Sequence, residues 1–110
     1  MTEVYVKQGD TLPSVEATLK YTDGTVMDLT DFTVVFTMIG KDGTKKVDEA
    51  SATIVNPPGT DGKVRYYWSG TDTDTPGRFR GEFEVTRPDG KTQTWPTLEP
   101  LHIIILEEYA

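Results

Sequence analysis

The run Asp72-Thr73-Asp74-Thr75-Pro76-Gly77 alternates oxygen-bearing side chains as a calcium loop does. Hard cations take roughly six to eight oxygens, and an EF-hand loop adds a late Glu and a helix on each side. Here Glu82 falls one place short of the loop's twelfth position, and neither flank has a helical pattern. Asp and Thr also cap turns with side-chain hydrogen bonds, and Pro-Gly then reverses the chain. The run is therefore read as a turn, with Asp72 and Asp74 the residues that would hold a cation if one bound. His102 is the single histidine. One imidazole supplies neither a multi-histidine zinc site nor a relay. Ser14, Ser51 and Ser69 all lie outside a Gly-x-Ser-x-Gly elbow, cysteine is absent, and no Gly-rich loop leads into a helix to cradle phosphate. These residue types point away from an enzyme, and none asks for a cofactor.

Aromatic rings offer a different chemistry, stacking on sugars. Tyr66, Tyr67, Trp68 and Trp95 are the rings in question. In Lys63 to Ser69, Val64, Tyr66 and Trp68 share one face and the polar residues share the other, the period-two pattern of a half-buried strand. Tyr66 and Trp68 are thereby turned inward, which leaves Tyr67 and Trp95 as the candidate binding rings.

The elements that carry these residues read as strands. Thr occurs 18 times and Val 10, against four Ala and six Leu, and β-branched residues favour a pleated surface over a helix. Asp-Gly recurs at Asp23-Gly24, Asp42-Gly43, Asp61-Gly62 and Asp89-Gly90, each a hairpin signal because Gly freely takes positive φ. The predicted strands are Glu3 to Lys7, Ser14 to Tyr21, Val26 to Leu29, Phe32 to Ile39, Ser51 to Asn56, Val64 to Ser69, Arg78 to Arg87, Lys91 to Trp95 and Leu101 to Leu106. Lys46 to Ala52 is the one place for a helix, and it lacks an apolar stripe. The spacing fits a single all-β domain over residues 1–110, an antiparallel β-sandwich of about seven to nine strands.

Two finer expectations follow. If Val64 to Ser69 pairs with Arg78 to Thr86, Trp68 meets Phe79, Tyr66 meets Gly81 and Val64 meets Phe83. On the outer face Arg65 then meets Glu82 and Lys63 meets Glu84. Strands that follow one another in a sandwich also cross between its sheets, and then these pairs do not form. The apolar run Leu101 to Leu106 is expected to be central, with a subunit contact that makes Ile104 and Leu106 interface candidates.

The net charge of −7 repels phosphate backbones, and Lys45-Lys46 is a pair rather than a patch, so nucleic acid is not an expected partner. The longest apolar run is far below the roughly 18 residues that span a bilayer, and the amino terminus lacks the basic start and apolar run of a signal peptide.

Several segments, in order, carry a resemblance. They are Lys7-Gln8-Gly9-Asp10-Thr11-Leu12-Pro13, Tyr21-Thr22-Asp23-Gly24, Asp28-Leu29-Thr30, Val34-Val35-Phe36-Thr37-Met38 and Gly62-Lys63-Val64-Arg65-Tyr66 with Trp68. The series continues with Asp72 to Gly77, Gly81-Glu82-Phe83-Glu84-Val85 and Asp89-Gly90-Lys91 with Trp95-Pro96. Together they resemble the amino-terminal domain of phage baseplate upper proteins, a tail-module family of phages infecting Gram-positive bacteria. The resemblance implies an immunoglobulin-like β-sandwich without catalytic residues. It also implies a virion location after assembly in the host cytoplasm. The implied partners are other virion proteins, in a homo-oligomer or multi-copy assembly. The sequence departs from the longer proteins by ending at Tyr109-Ala110, so the module is expected to be free-standing or excised. The competing reading is a carbohydrate-binding module for host surface glycans, using Tyr67 and Trp95.

Overall fold

Along the longest strand burial alternates residue by residue: Phe79, Gly81, Phe83 and Val85 are buried, while Arg78, Arg80, Glu82 and Glu84 are not. The same alternation organises a computed structural model that describes residues 2–97 and 100–108. Its strands are β1 (Thr2–Lys7), β2 (Val15–Thr18), β3 (Thr33–Ile39), β4 (Lys45–Ser51), β5 (Thr53–Ile54), β6 (Lys63–Tyr66), β7 (Gly77–Thr86), β8 (Thr92–Trp95) and β9 (Leu101–Leu106). Among the described residues there is no helix.

The strands form two sheets. One has the order β1-β9-β7-β3-β4, with β8 also on β7, and the other has the order β2-β6-β5. Opposed sheets of this kind, one built on the last two long strands and the third, are the immunoglobulin-like sandwich. β3 takes one edge of β7 from Arg80 to Thr86. On the other edge β9 pairs with the first half of β7 and β8 with the second. β8 ends with Trp95 opposite Phe83 and β9 begins with Leu101 opposite Gly81, so the two lie in line along one edge of β7.

The inner faces meet in one aromatic and aliphatic cluster. Phe36 stacks on Tyr66 with centroids 4.7 Å apart, meets Trp68 edge-on at 6.0 Å and touches Phe83 at 5.0 Å. Phe36 and Phe83 are fully buried, each contributing about 1.5–3 kcal/mol relative to an exposed ring.

Three expectations need correction. The pairing of the Val64 and Arg78 strands does not form, because β6 pairs with β2 and β5 in the opposite sheet. Tyr66 and Trp68 meet Phe36 of β3 across the core instead of pairing along a sheet with β7, and Arg65 finds Glu16 at 3.0 Å rather than Glu82. Residues 45–51 are a strand and hold no helix. Its alternation is broken by register shifts between Phe36 and Met38, where Glu49 adopts φ 50°, and Val47 is its one buried side chain. Val26 to Leu29 is reduced to a single bridge between Val26 and Lys20, although Met27 and Leu29 are core residues.

Candidate interaction surface

Asp72 and Asp74 are adjacent in type and separated in task. Asp72 is buried, and its Oδ2 accepts from the Tyr66 hydroxyl (2.6 Å) and the Ser69 amide (2.8 Å). Burial first, then the bond to this carboxylate, pushes the Tyr66 hydroxyl well above the usual phenol range. Beside it Thr73 Oγ1 donates to the Asp10 carbonyl at 2.8 Å, and Trp68 Nε1 donates to the Pro13 carbonyl at 2.8 Å. These bonds tie the loop before β7 to the loop after β1. Asp74 is exposed and accepts from Lys46, which holds its carboxyl below the usual range. No group of three or more His, Asp or Glu side chains suited to a metal occurs among the described residues.

The two candidate aromatic rings lie on different sheets. Tyr67 is 55% exposed just beyond β6, where its hydroxyl accepts from Arg65 (3.1 Å). Trp95, on β8, is half-buried against Phe83, with ring centroids 6.4 Å apart. They do not make one platform.

Ile104 and Leu106 lie on β9, between β1 and β7. β1 runs parallel to β9 from Thr2 opposite Leu101 to Lys7 opposite Leu106, so both backbone edges are filled and the strand cannot add a neighbour there. Their side chains are another matter. Ile103 and Ile105 are buried, which turns His102, Ile104 and Leu106 to the outer face of the six-stranded sheet.

That face is built in rungs. Glu3, His102, Arg80, Ile39 and Lys45 form one, and Tyr5, Ile104 and Arg78 the next. Thr37 pairs with Glu82, and Thr94, Glu84 and Val35 make a further rung. Tyr5 is 51% and Leu106 41% exposed, with Ile39, Ile104 and Val35 half-buried beside them. Two shallow hollows share Ile39. One, of about 270 Å³, is lined by Lys41, Arg78, Arg80 and His102. The other, of about 260 Å³, is lined by Glu49, Glu82, Glu84 and Lys45. A third, of about 330 Å³, adjoins them at Arg80, Gly81 and Glu82, so all three lie at or below the lower end of the roughly 300–1,000 Å³ of small-molecule pockets. His102 Nδ1 is buried without a hydrogen-bond partner among the described residues.

The split of charge on this face is missed by a sequence reading that pairs Arg65 and Lys63 with Glu82 and Glu84. Its signal was the order Arg78, Arg80, Glu82, Glu84 at period two.

Comparison with known proteins agrees with the architecture. The BppU N-terminal domain profile matches residues 1–96. The N-terminal domain of phage TP901-1 ORF48 shares the fold with a TM-score of 0.58 at 15% identity, over 96% of this chain and 99% of that one. No curated protein matches the chain. With a two-sheet sandwich in place and the profile spanning nearly all of it, the chain belongs to the BppU N-terminal domain family, the amino-terminal domain of phage baseplate upper proteins, and so to the structural parts of a virion.

Proposed function

We propose that residues 1–110 act as one non-catalytic attachment module of the phage tail baseplate, assembled in the host cytoplasm and docked onto neighbouring subunits of the particle. The observation that carries this reading is the outer face of the six-stranded sheet. It presents Tyr5, Ile104 and Leu106 on β1 and β9, and Ile39 and Val35 on β3, with the charged side chains of β7 between the two groups. On the three-stranded sheet, by contrast, Arg65 is already held by Glu16 and by the Tyr67 hydroxyl. Exposed apolar groups interleaved with ordered charge suit a protein contact. The buried polar side chains are engaged in structure, Asp72 with Tyr66 and Ser69 of its own segment and Thr73 with the Asp10 carbonyl of the neighbouring loop, which supports a structural role over a catalytic one. Many copies on one particle would gain effective affinity through multivalency.

The test is incorporation into particles. Tyr5→Lys and Ile104→Lys are expected to leave the melting temperature within a few degrees of wild type and to reduce copurification with tail particles at least about tenfold. Tyr5 is exposed enough that its replacement spares the fold. Wild-type incorporation of both variants would remove this face from consideration.

A further inference from the structure

We propose that the partner on this face is a second copy of the same domain, packed sheet to sheet about a two-fold axis at the level of Gly81, with strands antiparallel across the contact. The inference rests on the reading of this surface as the docking face and names what docks there.

The argument starts from charge order. On the outer side of β7 the side chains run Arg78, Arg80, Glu82, Glu84, successive members about 7 Å apart because same-face residues recur every second position. A dyad perpendicular to the strand at Gly81 sets Arg80 of one copy opposite Glu82 of the other, and Arg78 opposite Glu84. Each pairing occurs twice, as an isologous contact requires. Sheets pack about 10 Å apart, a gap that Arg and Glu side chains span from the two sides. Superposing the faces with β7 parallel to its mate would set like charges together, which costs several kcal/mol and rejects that arrangement.

The surroundings extend the pattern. Lys41 and His102 stand in the basic half and Glu49 in the acidic half, with Ile39 on the boundary. Three residues run against the trend, and each is engaged within the chain. Asp42, which lies with Lys41 and Arg78, accepts from the Thr44 amide; the others are Glu3 and Lys45. Glu3 bridges Arg78 at 3.7 Å and accepts from Tyr5, and Lys45 bridges Asp48 at 3.7 Å. Among the described residues, Lys41, Arg80, Glu49, Glu82 and Glu84 have no ion-pair partner. A face whose unpaired charges are antisymmetric about its middle is complementary to itself.

Sedimentation and light scattering on the full chain test this over a range of concentration and salt. Wild type is expected to dimerise at low salt and to weaken as salt rises. The double variant Arg78→Glu with Arg80→Glu has a uniformly acidic strip, and Glu82→Arg with Glu84→Arg a uniformly basic one. Each alone is expected to lose at least about tenfold in self-affinity. Mixed in equal amounts they are expected to form a heterodimer. The fourfold exchange, which restores antisymmetry with signs reversed, is expected to dimerise again. A monomeric wild type overturns the proposal, as do reversal variants that self-associate like wild type or a mixture that fails to pair. If wild type is monomeric while Tyr5→Lys still fails to enter particles, the second copy falls as partner and the docking face stands.

Discussion

Asp72 shows how a carboxylate that invites a catalytic or metal reading is used up by structure. One oxygen receives both the Tyr66 hydroxyl and the Ser69 amide, and a buried acceptor that loses a donor is costly. Tyr66→Phe is therefore expected to lower the unfolding free energy by about 1 kcal/mol at neutral pH, and Asp72→Ala, which strands two donors, by about 2–3 kcal/mol. The pH dependence has a definite sign. The folded Tyr66 hydroxyl titrates above its unfolded value, through burial and then the bond to Asp72. Its contribution is complete below the unfolded phenol value of about 10 and is lost as pH rises through the folded value. Denaturant titrations from neutral to strongly alkaline pH should show stability falling above about pH 10. The difference between wild type and Tyr66→Phe should shrink over the same range.

What could be read along the chain was what local chemistry decides. At every Asp-Gly pair the glycine has positive φ, and the preceding Asp Oδ1 accepts from the amide two residues on, at Thr25, Thr44, Lys63 and Lys91. Such turns need no distant partner, so four residues suffice to announce them. Strand pairing is non-local, and there the reading failed. Nothing within Lys63 to Thr86 says that the chain crosses between layers at Asp72. The β4 strand went unread because its bulge destroys the alternation that reveals a strand. The candidate face is half legible: apolarity nominates Ile104 and Leu106, which lie on the outer side of β9, but the charge split on β7 needs β3 and β9 set beside it. Gly81 separates local preference from packing. β-Propensity alone favours Val in a strand interior. A Cβ at Gly81, however, would lie 3.0 Å from Phe36 Cε1 and 3.2 Å from Leu101 Cδ2. Gly81→Val is expected to cost about 1–3 kcal/mol by overpacking, lowering the melting temperature by several degrees in a thermal scan. An unchanged or raised melting temperature would show that the Phe36 ring has room to shift.

At the scale of the whole molecule, the apolar closing strand β9 is enclosed on both sides, by β1 and β7. β1 covers the edge of β9 that would otherwise be open, and a bare apolar edge recruits other chains. Removing residues 1–7 is expected to give concentration-dependent aggregation, measured by light scattering, where the full chain stays dispersed. The direction of that cover matters as well as its presence. Because β1 and β9 run the same way, the start of one and the finish of the other lie at opposite ends of their shared ladder, from Thr2 beside Leu101 to Lys7 beside Leu106. Tension applied between those two ends drags the strands past each other in shear, so the rungs resist together and cannot be unzipped one at a time.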